Sequence, residues 1–285
     1  MPQSLNPTHP TLPRALQASG YTTAHFGKWH LGREYPLTDY GFTTGRDDRD
    51  GSWRLWAEPS AMSTKVADET IAFIQRHRRE HPDRPVYIQS WFIEPHSPVQ
   101  PSAEQMEPFR HLTMAGSSYP SARQIYAAAV GELDRNIGRI LAALDEAGLA
   151  ESTLVIFSSD NGPEDPDILN AAHSAAGSAG PFRGRKRSIY EGGVRVPFIA
   201  RWPGVIEAGG VRDDAFLGAV DLFPTLAALA GAQAPATGLD GNDQGAALLG
   251  APQVPRRPLF WEWRFPVFNH VWHRPPQLAV RDGPW

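Results

Sequence analysis

The stretch from Ala122 to Ser158 limits the possible folds more than any other part of the chain. Ile125, Ala129, Leu133, Ile137, Ile140, Leu141 and Leu144 step by three and four, the spacing of one face of a helix from about Ala122 to Ala147. Gly148 stops that helix, and Thr153 to Ser158 follows with Leu154-Val155-Ile156-Phe157 unbroken by a polar residue. An amphipathic helix feeding a strand that is apolar on both faces is the pattern of a parallel sheet covered by helices.

The same alternation runs through the rest of the chain. Leu12 to Ser19 reads as a short helix stopped by Gly20, with a strand from Tyr21 to Phe26. Arg33 to Pro59, rich in Trp and Asp, reads as a loop. Ser63 or Thr64 caps a helix to about Glu80, with Val66, Thr70, Ile71 and Ile74 on one face. His81-Pro82 ends it, and Pro85 to Phe92 is an apolar strand. Val194 to Trp202 reads as another strand, and Asp221 to Ala230 as another helix. This order predicts an α/β sandwich with helices on both faces and no internal repeat. A Pro-rich stretch near Ala251 to Pro258 divides residues 1–255, the α/β domain, from residues 256–285, the start of a small C-terminal subdomain.

Composition narrows the function. Hydrophobic content of 41% with 20% charged residues is that of an ordinary globular enzyme. A net charge of −4 supplies no basic field for nucleic acid, so any anion site must be a local cluster. The absence of Cys removes disulfides, thiolate nucleophiles and Cys-based zinc sites. No apolar leader and no run long enough to span a membrane is visible, and the compartment is left open. The 27 Pro, 26 Gly and nine Trp point to long ordered loops, where active sites are commonly assembled.

Four segments carry chemistry. Gly20-Tyr21-Thr22-Thr23-Ala24-His25-Phe26-Gly27-Lys28-Trp29-His30-Leu31-Gly32 runs from a strand into a turn presenting a cation and an imidazole. Such a pair can hold an oxyanion and move a proton. It is not a phosphate-binding P-loop, because Thr22 replaces the first glycine and Trp29 the magnesium-binding Ser/Thr. Trp91-Phe92-Ile93-Glu94-Pro95-His96-Ser97-Pro98 lifts His96 beyond the carboxyl end of a strand, where α/β proteins bind ligands. Ser159-Asp160-Asn161-Gly162 ends another strand in two hard oxygen donors, which suits calcium or magnesium and is also an ordinary turn. Arg183, Arg185, Lys186 and Arg187 make a solvated or anion-steering loop before Tyr190-Glu191-Gly192-Gly193-Val194-Arg195-Val196-Pro197. His77 and His81 share a helix face but lack the His-Glu-x-x-His order of a zinc protease, so they read as solvated.

Taken together, these segments closely resemble the sulfatase family, within the alkaline phosphatase superfamily, from about residue 9 to the end. The helix carrying Val130-Gly131-Glu132-Leu133-Asp134-Arg135-Asn136-Ile137-Gly138 resembles the family's scaffold helix. The resemblance implies a three-layer sandwich with a mixed, mostly parallel central sheet and helices on both faces, its first strand missing. It implies sulfuric ester hydrolysis, with Lys28 and Lys186 neutralising sulfate oxygens and His30 orienting the nucleophile. His96 would contact the sulfate and serve the leaving oxygen as proton donor. Asp160 and Asn161 would be half of a calcium site, and Glu191 and Arg195 a structural pair at a strand start. The expected partner is a sulfate ester, on a sugar or an aryl group.

The family's nucleophile is a Cys or Ser in a Cys/Ser-x-Pro-x-Arg motif, converted to formylglycine, and it precedes the Gly-Lys-Trp-His block together with an Asp-Asp pair of metal ligands. Only nineteen residues precede Gly20, and they contain neither. Ser118-Tyr119-Pro120-Ser121-Ala122-Arg123 places its Arg one position late and reads as a helix start capped by Ser121. The expectation is therefore little turnover by this chain alone. The alternatives are a non-catalytic remnant that binds sulfate or sulfated glycans, and a non-functional fragment. Phosphatase or phosphodiesterase chemistry ranks lower, because the Lys and His set does not suit a two-zinc site.

Overall fold

The computed structural model describes residues 4–168, 171–252, 258–264 and 276–283. In chain order the elements are α1 (Leu12–Ala18), β1 (Thr22–Gly27), β2 (Thr44–Asp47), α2 (Met62–Glu80), β3 (Val86–Trp91), α3 (Ala103–Met106), α4 (Ala122–Glu146), β4 (Val155–Ser158), α5 (Glu191–Val194), β5 (Phe198–Arg201), α6 (Leu222–Leu229), α7 (Gly245–Leu248), β6 (Leu259–Glu262) and β7 (Leu278–Arg281).

Three parallel strands in the order β2-β1-β3 form the sheet that carries the site, with Thr23 opposite Tyr87, His25 opposite Gln89 and Gly27 opposite Trp91. Side chains alternate between its faces. Ala24, Phe26 and Ile88 point to one side, where Met62, Val66 and Phe73 of α2 close a core with Trp53, Leu55 and Ile93. Burying each large apolar side chain there contributes about 2 kcal/mol. Tyr87 points to the other side, packing on both Leu16 and Phe223, from α1 and α6, and the buried aromatic trio Trp29, Tyr40 and Phe42. Helices thus cover both faces of the sheet, as expected. Helix α4 packs on α2 in the outer layer, joined by the buried Glu132, whose Oε1 accepts from Thr64 Oγ1 at 2.8 Å and from Asn136 Nδ2 at 2.8 Å. Ser121 caps α4 by accepting the Gln124 N–H at 3.1 Å.

Several local expectations need correction. Arg33 to Pro59 is not all loop: β2 lies inside it and extends the sheet at β1. Thr-Gly-Arg-Asp has no apolar alternation, so its strand character comes from the ladder with β1. Neither Ser63 nor Thr64 caps α2, which starts at Met62; the Ser63 N–H donates instead to Glu94 Oε1 at 3.1 Å. Strand β4 is not buried in the parallel sheet. It pairs antiparallel with β5, and Val155, Ile156 and Phe157 are half-buried. Among the described residues, β3 and β4 each have one edge with no paired strand. Strand β5 starts at Phe198, four residues later than expected, because Glu191–Val194 is a helical turn. Glu191 and Arg195 do pair, at 2.9 Å, but across that turn rather than at a strand start. His77 is buried, not solvated: it stacks on Phe73, and its Nε2 lies 2.9 Å from the Arg84 carbonyl.

The expected boundary at residues 255/256 lies outside the described residues. Beyond it, β6 and β7 pair antiparallel, and Arg281 reaches back to Glu191 Oε1 at 3.3 Å. Among the described residues no helix is long and apolar enough to cross a membrane.

Candidate active site

Strands β1 and β3 run parallel and end side by side, so the turns after Gly27 and Trp91 open on the same edge of the sheet. Gly27 has φ +114°, and a Cβ there would sit 2.0 Å from the Trp91 carbonyl oxygen, so only glycine lets the chain turn this close to β3. The next residue is tied down on both sides. The Lys28 N–H donates to the Trp91 carbonyl at 2.8 Å, and the Lys28 carbonyl lies 3.1 Å from His25 Nε2. The Trp29 N–H then donates to Asp48 Oδ1 at 2.7 Å. Trp29 is buried among His25, Tyr40 and Phe42, which anchors the turn while the half-buried Lys28 projects from it. Burial lowers the Lys28 pKa and the charge of Lys186 lowers it further, against the opposing pull of Asp160 and Asp48.

His96 arrives from the segment after β3. The buried Glu94 ties that segment to the first turn of α2 through the Ser63 N–H. His96 Nδ1 lies 2.6 Å from the Ser97 carbonyl. A carbonyl only accepts, so Nδ1 carries the hydrogen and Nε2 keeps a lone pair when the ring is neutral. Burial lowers the His96 pKa, and Lys186 and Lys28 lower it further, while the Ser97 carbonyl and Glu164 oppose. At neutral pH the ring is therefore uncharged. It becomes a proton donor only after taking up a proton, which a bound anion would favour.

Lys186 comes from the cationic segment, which proves to be a tied loop rather than a solvated one. Its backbone N–H donates to the Pro163 carbonyl at 2.9 Å. Arg185 donates to the carbonyls of Glu164 at 2.8 Å, Ala175 at 2.9 Å and Gly177 at 2.5 Å. Lys186 Nζ lies 3.2 Å from Glu164 Oε2, and Arg187 holds the other carboxylate oxygen. Burial pushes the Glu164 carboxyl up, but the Arg187 hydrogen bond, the Asp165 N–H and the two cations outweigh it and hold the group below the usual range.

The turn carrying Asp160 and Asn161 is seated on the Gly192-Gly193 pair. The Gly162 N–H donates to the Gly193 carbonyl at 2.8 Å, and a Cβ on Gly162 would lie 1.9 Å from the Gly192 carbonyl oxygen. Asp160 is exposed, and Asn161 donates to the Gly162 carbonyl at 2.8 Å.

Lys28, His96, Lys186 and Asp160 thus come from four separated stretches into one electrostatic neighbourhood. His30 is less integrated: it is exposed and lines a cleft of about 320 Å³ with Trp29, Asp48 and Arg49. Asp160 and Asn161 offer two oxygen donors where calcium takes six to eight. Among the described residues no cluster of three His, Cys, Asp or Glu side chains could hold a metal ion. These residues do not build a calcium cage by themselves.

Two acidic residues at the site escaped sequence reasoning. Asp48, from the end of β2, and Glu164, two residues beyond Gly162, look like loop acids in one dimension. The only signal was the position of Glu164 in the same loop as Asp160. Buried His25 also escaped, although period-two alternation on β1 places it on an interior face with Thr23.

Comparison with known proteins identifies the family. The family model described as Sulfatase matches residues 1–232. N-acetylgalactosamine-6-sulfatase of Canis lupus familiaris is 33% identical over 287 residues, covering 88% of this chain and 50% of the relative. Arylsulfatase A of Bos taurus is 33% identical over 282 residues, covering 90% of this chain and 54% of the relative. The chain therefore spans about half the length of these curated relatives. Among solved structures, Ps i-CgsB in complex with k-i-k-neocarrahexaose superposes with a TM-score of 0.73 at 24% identity, covering 91% of this chain and 63% of that one. BT4656 in complex with D-glucosamine-2-N,6-O-disulfate superposes with a TM-score of 0.71 at 18% identity, covering 99% and 73%. At such identities these two support the fold alone. The extent of the family match, and the two curated relatives across nearly nine-tenths of the chain, place this protein in the sulfatase family.

Proposed function

We propose that these residues form the sulfate-holding side of a sulfuric ester hydrolase site, with Lys28 and Lys186 neutralising the sulfate oxygens and His96 facing the oxygen that leaves. Strands β1 and β3 ending side by side carry this reading: they bring the Lys28 turn and the His96 segment to one edge of the sheet, where the charge of Lys186 lowers the proton affinity of both. Two ammonium groups so placed repel each other and are relieved by a tetrahedral anion between them. His30, on the adjoining cleft, would orient a nucleophile. Asp160 and Asn161 would contribute two oxygen donors to calcium.

The substrate class follows by similarity. The curated relatives are named for N-acetylgalactosamine-6-sulfatase and arylsulfatase A activities, which favours a sulfated sugar or an aryl sulfate. The sequence contains no Cys and no Ser in a Cys/Ser-x-Pro-x-Arg arrangement, so these 285 residues are proposed to bind sulfate esters with little turnover. Calorimetry with sodium sulfate and a sulfated oligosaccharide, run beside an aryl sulfate time course, tests both halves. Binding lost in Lys186→Ala supports the site. Turnover above that of Lys186→Ala would overturn the non-catalytic half, and no binding by the unaltered chain would overturn the reading itself.

A further inference from the structure

Beneath Lys28 lies a run of polar groups, buried at His25 and half-buried at Gln89 and Tyr87, that the proposed chemistry does not use. His25 is fully buried, and its ring packs edge-on against Trp29 and Trp91 and tilted against Phe42. Its Nε2 lies 3.1 Å from the Lys28 carbonyl and its Nδ1 3.4 Å from the Gln89 amide atom placed as Oε1. The amide atom placed as Nε2 lies 2.8 Å from the Tyr87 hydroxyl. The parallel register explains the juxtaposition: His25 stands directly opposite Gln89, and Tyr87 is two residues back on the same face.

The direction of each hydrogen bond follows from what each group can do. The Lys28 carbonyl only accepts, so His25 Nε2 must carry the hydrogen. Burial lowers the His25 pKa to about 4, outweighing the pull of Gln89, Asp47 and Asp48, so the ring is neutral and Nδ1 is an acceptor. Gln89 must then turn its NH2 toward Nδ1, since amide oxygen and nitrogen are interchangeable in placement. Its oxygen then faces Tyr87, whose hydroxyl is held protonated by burial, with a pKa pushed up to about 12.

We propose that Tyr87, Gln89 and His25 form a one-way hydrogen-bond chain that ends on the Lys28 carbonyl and makes His25 a positioning residue for the Lys28 ammonium. With the Gln89 amide oxygen and nitrogen exchanged, every member donates forward. With the Trp91 carbonyl on the Lys28 N–H and Asp48 on the Trp29 N–H, His25 supplies the third constraint on that turn. The functional half of the inference rests on the proposed sulfate site, whereas the chain itself does not.

The test begins with the whole protein labelled with 15N-histidine. Long-range proton–nitrogen spectra are expected to show one neutral Nε2–H ring that persists down to about pH 4 and is missing from His25→Gln. A neutral Nδ1–H ring at His25, or titration near its ordinary value, would overturn the chain. Calorimetry with sodium sulfate reads the positioning role. His25→Phe removes the donor and should weaken binding about tenfold, whereas His25→Gln, whose Nε2 can reach the same carbonyl, should restore it to within about twofold. Folded His25→Phe binding as tightly as the unaltered protein would overturn the role. Should His25→Phe not fold, Gln89→Leu removes the donor to Nδ1 and the partner of Tyr87 while leaving His25 in place. It should shift the ring toward a mixture of tautomers and weaken sulfate about threefold, and no change in either would overturn the proposal. Absence of sulfate binding by the unaltered protein defeats the sulfate reading and the positioning role together, while the spectra still decide the chain.

Discussion

Lys186 Nζ stands 3.2 Å from Glu164 Oε2, and both side chains are largely removed from solvent. One of the two cations proposed to hold sulfate is therefore partly neutralised within the protein. Glu164→Gln removes that counter-charge and should tighten sulfate binding about fivefold at low ionic strength. The same change deprives Arg187 of its partner and should lower the melting temperature. Calorimetry and a thermal scan read the two effects separately. Weaker sulfate binding would mean that Glu164 serves to position Lys186 rather than to compete with the anion.

The Gly27 turn makes a stability prediction. A Cβ at this position meets the Trp91 carbonyl oxygen, and φ +114° is already unfavourable for any other residue. Gly27→Ala should cost about 3 kcal/mol, or about 5 °C in melting temperature, and should abolish sulfate binding because the Lys28 turn shifts. Gly138→Ala, on helix α4 with open space at its Cβ, is the control and should leave binding unchanged.

Acid stability should report His25. Its folded pKa is about 4 against an ordinary value of 6.5, so between these values the unfolded chain binds the proton and the folded chain does not. The contribution is complete above pH 6.5 and is lost as pH falls toward 4, amounting to about 3 kcal/mol. Denaturant midpoints measured across that range should fall less steeply for His25→Gln than for the unaltered protein. Parallel slopes would contradict a buried neutral ring.

Sulfate affinity should rise on mild acidification. His96 begins neutral, and an anion beside it raises its proton affinity, so binding takes up a proton. Calorimetry in buffers of different ionisation enthalpy should detect that uptake, and His96→Asn should abolish it.

Calcium should change little. With only two donors from Asp160 and Asn161, millimolar calcium or its removal by chelator should move the melting temperature by less than about 1 °C. A larger shift that Asp160→Ala removes would reveal a cage beyond these donors.

Alternating apolar helices and strands, interrupted by glycine and proline, were enough to predict helices on both faces of a sheet; which helices lie on which face came from the packing. The same one-dimensional reading, with the family resemblance, offered Lys28, His96 and Lys186 as candidates, because they stand in loops that follow strands. It could not rank His30 below them, since adjacency to Lys28 says nothing about exposure. It also could not place β2, whose Thr-Gly-Arg-Asp has no pattern of its own and is a strand only because β1 supplies its hydrogen bonds. The apolar run at β4 misled for a related reason: hydrophobicity reports a tendency to be covered, and only pairing decides which neighbour does the covering. The sequence by itself therefore determined the family, the α/β class and most of the helices and strands, and offered candidate site residues. Tertiary structure alone decided which charges share a field, that Glu164 holds Lys186, and that the Lys28 carbonyl rests on His25. Those relations depend on distances across segments far apart in the chain, which residue order does not encode locally.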